Sequence, residues 1–100
     1  MKYTWDKAKL RKNIENHAID FADAVEMFDF PMITAIDARR DYGEERWVGI
    51  GFLKGIIAVI VFTEDDKTER IRIVSVRKAT SNETKRFKEE VRNKLGKTFP

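Results

Sequence analysis

One hundred residues, 42% apolar and 37% charged, suffice for one domain with one modest core and leave no room for a second lobe. That balance excludes intrinsic disorder, and the longest apolar run, Ile56 to Phe62, is far too short to cross a bilayer. The absence of cysteine excludes disulfides, thiolate metal sites and a cysteine nucleophile, and a single histidine excludes a multi-histidine metal centre. Polar and charged residues follow Met1 where a leader would need an apolar stretch, so we expect a cytoplasmic protein, one domain over residues 1–100, with no membrane partner.

Residues 2–5 suit a short edge strand. Asp6 is a plausible N-cap for a helix from Lys7 to about His17, with Leu10, Ile14 and His17 or Ala18 on one face. Asp20 caps a second short helix over residues 21–28, where Phe21, Val25 and Phe28 recur at helical spacing until Phe30-Pro31 ends it. Met32 to Ile36 is a short apolar strand before the polar turn A-R-R-D-Y-G-E-E. Arg46 to Phe52 alternates, Lys54-Gly55 signals a tight hairpin, and Ile56 to Thr63 reads as a central strand covered on both faces. After the turn at Asp65-Asp66-Lys67, Arg70 to Val76 is a further strand. Thr80 and Glu83 then fit a capping box opening a helix to about Leu95, stopped by Gly96, with Phe87, Val91 and Leu95 as its apolar stripe. The expected fold is α+β: an antiparallel β-sheet of about four to five strands, two N-terminal helices and one C-terminal helix, the helices packed on one sheet face.

The net charge of +3 is unevenly spread. Residues 1–66 carry nine Lys/Arg against thirteen Asp/Glu, a balance of −4, and residues 67–100 carry eleven against four, a balance of +7. Such a split points to one basic face for an anionic partner, or to a lysine-rich solvated helix. Nucleotide-binding loops, serine-hydrolase elbows and metal-binding histidine pairs are absent. The acid pairs Glu44-Glu45 and Asp65-Asp66 fall in turns and read as surface acids, so no metal and no cofactor is expected.

What remains suits RNA cleavage without a metal, which needs a base for the 2′-hydroxyl, cations for the phosphate and an acid for the leaving oxygen. Arg46, Arg70, Arg72 and Arg77 lie on or beside strands of one sheet, and a guanidinium fork matches phosphate oxygens. Each arginine could equally pair with a nearby acid such as Glu44, Glu45 or Glu69. His17 is the one side chain that ordinarily titrates near neutrality, although a C-terminal cap explains it as well. Trp5 and Trp47 could stack on bases but suit core anchoring better.

Several blocks then form a pattern. They are W-D-x-x-K at Trp5, Asp6 and Lys9, then Asn13, His17, Phe21, Ala24 and Phe28, then G-E-x-R at Gly43, Glu44 and Arg46 with Gly49 behind it. The last block is R-I-x-I-V-S-x-R-K-A-T-x-x-E from Arg70 through Ser75, Arg77, Lys78, Ala79 and Thr80 to Glu83. In order and spacing the chain resembles the BrnT toxins, the ribonuclease half of BrnT–BrnA toxin–antitoxin pairs. One departure is Asn16-His17-Ala18 where the family has K-H-G. The resemblance implies a RelE-like fold, endoribonuclease activity, growth inhibition and neutralisation by a BrnA-like antitoxin in a possible hetero-oligomer. On that footing Arg72, Arg77 and Lys78 would hold the scissile phosphate with help from Arg46. Glu45, Glu44 or His17 would transfer the proton, and Ser75 and Thr80 would be structural. Arg70, Lys85, Arg86, Lys88 and Arg92 would bind RNA, and Phe99 in the tail would help the antitoxin. The alternative is a non-catalytic nucleic-acid or partner-binding module using the same basic face.

Overall fold

The structure, a computed structural model, describes residues 1–98, with side chains through Lys94; Leu95 and Phe99 as apolar contacts therefore lie outside the described residues. Strand β1 (Lys2–Trp5) leads into helix α1 (Lys7–His17), then helix α2 (Phe21–Ala24) and a 3-10 segment (Val25–Asp29). Strands β2 (Met32–Ile36), β3 (Trp47–Leu53), β4 (Ile56–Asp65) and β5 (Arg70–Lys78) follow, and helix α3 (Ser81–Thr98) comes last. The helix stop expected at Gly96 does not occur, because an interior glycine costs about 1 kcal/mol and does not forbid helix.

The caps form as read. Asp6 accepts from the Lys9 amide at 3.0 Å and Asp20 from the Ala22 amide at 2.9 Å. The Thr80 amide donates to Glu83 at 2.9 Å while the Glu83 amide donates to the Thr80 hydroxyl at 3.2 Å, a reciprocal capping box. Lys54 and Gly55 both take positive φ, 44° and 81°, as a two-residue hairpin turn between β3 and β4 requires.

The sheet order is β1-β5-β4-β3-β2. β1 runs parallel to β5, with Lys2 opposite Arg70 and Trp5 opposite Ile73, so the sheet is mixed and not wholly antiparallel. Everything from α1 to β4 serves as the connection that a parallel pair needs. β1 covers only the first half of β5; α1 lies along the rest. There the buried Asn13 accepts from the Val76 amide at 3.0 Å and donates to the Ile19 carbonyl at 2.9 Å, satisfying two main-chain groups. This edge position corrects the expected helix face: Asn13 is buried with Leu10 beside the core, while Ile14 is 42% exposed.

One face of the sheet carries the main core. Phe21, Ala24 and Met27 pack on Ala58, Ile60, Phe62, Ile71, Ile73 and Val76. Burying each larger apolar side chain contributes roughly 1.5–3 kcal/mol, so this layer dominates stability. Trp5 and Trp47 pack against the same cluster. The helices are not all on that face. Phe87 of α3 meets Phe52 edge-on at 5.2 Å, and Phe52 alternates with the core residue Leu53, so α3 covers the opposite face. Between β4 and β5 the register steps: Val61 pairs with Ser75 and Phe62 with Ile73, leaving Val74 as the extra residue of a β-bulge.

Candidate functional site

Residues opposite each other on neighbouring strands share a face, so the register orders the second face into rows. One row is Asp37, Arg46, Thr63 and Arg72, for the Asp37 amide donates to the Arg46 carbonyl at 2.7 Å and Thr63 pairs with Arg72. The next row is Ala35, Val48, Val61 and Ser75, and the third is Ile33, Ile50, Val59 and Arg77. Arginines therefore stand on either side of a small apolar floor. The resulting groove, about 460 Å³, is lined by Val48, Val59, Val61, Ser75, Arg39 and Arg77.

The arginines of this face, Arg39 and Arg77 in the groove and Arg46 and Arg72 beyond its end, are each held by an acid. Nη2 of Arg72 donates to both Glu44 oxygens at 2.6 and 2.8 Å, and Nε of Arg46 donates to Oε2 of the same carboxylate at 3.0 Å. The Arg46 guanidinium lies 4.2 Å from the Tyr42 ring centroid. Tyr42 in turn donates to Asp37 at 3.1 Å, and Asp37 accepts Nε and Nη2 of Arg39, both at 2.7 Å. On the other side Arg77 grips Glu83 through two bonds of 2.7 and 2.9 Å.

These pairs fix the charges. The Arg39 hydrogen bonds hold the Asp37 carboxyl far below the usual carboxylate range although its side chain is only 1% exposed. Arg46, then Arg72, lower Glu44 against the opposing effect of burial. Arg77 first, and the Thr80 amide after it, lower Glu83 to about 2, while Glu83 raises Arg77.

The structure separates other residues that the sequence grouped. Lys78 follows Arg77 in a strand, so it points to the opposite face. At the end of β5 it lines a separate cleft of about 550 Å³ with Lys85, Lys88 and Arg92 of α3. Arg86 sits on the other side of α3, beside Phe87 and Ile33. Arg70 and Glu45 border a hollow at the far end of the sheet with Arg72 and the acidic β4–β5 turn. His17 is exposed at the end of α1 and lines none of these surfaces. The tryptophans lie on the core face. Among the described residues no group of three or more His, Asp or Glu side chains is arranged to hold a metal ion, and no helix is long and apolar enough to cross a membrane.

Sequence reading missed Arg39 and Tyr42, which it assigned to a polar turn, and gave Asp37, between strand and turn, no role. A signal existed: Asp37 continues the alternation of Ile33 and Ala35 onto the second face. It also cast Glu83 as a cap alone, whereas one carboxylate both caps α3 and anchors Arg77.

Residues 5–83 match a family model described as "Ribonuclease toxin, BrnT, of type II toxin-antitoxin system". A search of curated proteins finds no match.

Proposed function

The chain belongs to the BrnT family of ribonuclease toxins of type II toxin–antitoxin systems, and from that premise we propose that it is a metal-independent endoribonuclease acting through the groove between Arg72 and Arg77. Residues 1–100 act as one domain in the cytoplasm, arrest growth by cutting RNA, and are silenced in a hetero-oligomer with a BrnA-like antitoxin. The observation that carries the site is the placement of Arg46, Arg72 and Arg77 on one sheet face, the first two held by Glu44 and the third by Glu83.

In the proposed reaction the RNA 2′-oxygen attacks the adjacent phosphorus and the bond to the 5′-oxygen breaks. The products are a 2′,3′-cyclic phosphate and a 5′-hydroxyl, the leaving oxygen taking its proton from water. Charge gathers on the phosphoryl oxygens as the new bond forms, and Arg72, Arg46 and Arg77 stabilise it. A bound phosphate competes with Glu44 for Arg46 and Arg72. Freed of those hydrogen bonds, the Glu44 carboxylate regains basicity and takes the 2′-hydroxyl proton. Glu45 is its neighbouring alternative. Lys78, Lys85, Lys88 and Arg92 hold the flanking RNA backbone from the other side of α3, with Arg70 and Arg86 at the margins; His17 takes no part.

A second reading has its own support. All these arginines are already neutralised, and the carboxylates that hold them, Asp37, Glu44 and Glu83, are kept as anions. Such a surface suits binding without catalysis. Purified wild type, Arg72→Ala and Arg77→Ala, incubated with RNA and a chelator, separate the readings. Cleavage by wild type that falls at least 100-fold in both variants supports the enzyme. RNA retained by wild type without any cleavage establishes the binding module.

A further inference from the structure

β2 is an outer strand of the sheet, no other strand of the described residues pairs with its far edge, and that edge lacks the features that keep such edges from pairing. Its five residues, M-I-T-A-I, include no charge and no proline, and no bulge interrupts its register with β3. Antiparallel pairs alternate between hydrogen-bonded and non-bonded types. The Asp37 amide bonds to the Arg46 carbonyl, so Ala35–Val48 and Ile33–Ile50 are bonded pairs. The amides and carbonyls of Met32, Thr34 and Ile36 therefore point away from the sheet. Ile36 is 54% exposed, and Phe30 just before the strand is 52% exposed.

We infer that the open edge of β2 takes an extended segment of the antitoxin as a sixth strand, and that this strand closes the groove. The identity of the partner rests on the toxin–antitoxin reading above. A strand added here continues the rows of the second face, so its alternate side chains fall beside Ile33, Ala35 and Asp37 and reach over the groove floor. The charge at that end is specific. The Arg39 side chain is 71% exposed although its fork is tied to Asp37, and Arg40 stands beside it. Across the floor is Arg77. The fitting segment is thus β-branched and uncharged where it meets Ile33 and Ala35, with an acidic side chain at the position that reaches Arg39. An antitoxin bound this way blocks RNA by occupying the groove and leaves the arginine pairs intact.

The test uses the toxin co-purified with the product of the adjoining reading frame. Amide hydrogen exchange is compared in the free toxin and the complex. Protection of Thr34 and Ile36 is expected to rise at least ten-fold in the complex, with little change at Ile33 and Ala35, which already bond to β3. Thr34→Pro removes the outward donor and keeps the β3 pairing; Thr34→Lys, a milder change, places a charge on the edge. Both variants are expected to arrest growth as wild type does and to resist neutralisation, with at least ten-fold weaker binding of the antitoxin. Unchanged exchange at Thr34 and Ile36 in the complex, or full neutralisation of a toxic Thr34→Lys chain, would overturn the inference. So would a free toxin that sediments as a dimer with those amides already protected, because the edge would then belong to a second copy. If wild type neither cuts RNA nor arrests growth, the proposed activity fails on its own, and the exchange comparison still decides where the partner binds.

Discussion

Ala18 ends α1 with φ 57°, in left-handed backbone that an alanine enters at a cost of about 1–2 kcal/mol. The helix ends as a glycine would end it, with the Ala18 amide bonded to the Ile14 carbonyl at 2.9 Å. Ala18→Gly, which puts glycine at this left-handed position, should therefore raise stability by about 0.5–1 kcal/mol, read as a higher urea midpoint. Glu83 offers a pH-dependent prediction. Its carboxyl titrates at about 2 in the folded chain against an ordinary 4.5, so the unfolded chain binds the proton more readily. The pair with Arg77 contributes fully above about pH 4.5, and that contribution disappears as the pH falls through 2. Glu83→Gln should flatten this acid limb and lower stability at pH 7 by on the order of 1–2 kcal/mol, a value reduced by the partial exposure of Arg77. Urea titrations of both chains between pH 2 and 7 check it.

At the scale of elements, α3 divides its work between its two sides. Glu83, Phe87 and Arg86 look onto the sheet and groove, and Lys85, Lys88 and Arg92 form a stripe toward Lys78. Replacing the three stripe cations with glutamine should weaken RNA retention and lower its salt slope by roughly 2, at about 0.7 per phosphate contact on a single strand, with little change in cleavage of a short RNA at saturation. Binding measured from 50 to 300 mM salt would show it. Most elements were readable in the chain because their signals are local. Asp6, Asp20 and the Thr80–Glu83 box mark helix starts, Lys54-Gly55 marks its hairpin, and the apolar run of β4 marks its burial. The direction of β1 was not readable, since four alternating residues look alike in either orientation. Nor was the burial of Asn13, whose reason lies in the uncovered stretch of β5. The candidate site was half readable: Arg46, Arg72, Arg77 and a pairing with Glu44 were legible, whereas Asp37, Arg39 and Tyr42 were not, and only the folded sheet brings Glu44 to Arg72. The separation of Lys78 from Arg77 was available from simple alternation and went unused in grouping them.

Across the whole molecule, the division of charge along the chain does not become a division in space. The acidic first two-thirds lends Asp37 and Glu44 to the face that the basic last third fills with Arg72 and Arg77. That arrangement runs through an irregularity in β5. Arg72 and Arg77 are five positions apart, and in a regular strand an odd separation would set them on opposite faces. The bulge at Val74 absorbs the difference. A chain lacking Val74 is accordingly expected to keep both arginines on that face and to retain growth arrest, at the cost of that side chain's burial. For aligning relatives, this means that a one-residue gap between the two arginines is silent. Three intervening residues in a regular strand and four around a bulge describe the same surface, so strict column-by-column comparison would record a lost residue where the chemistry has lost nothing.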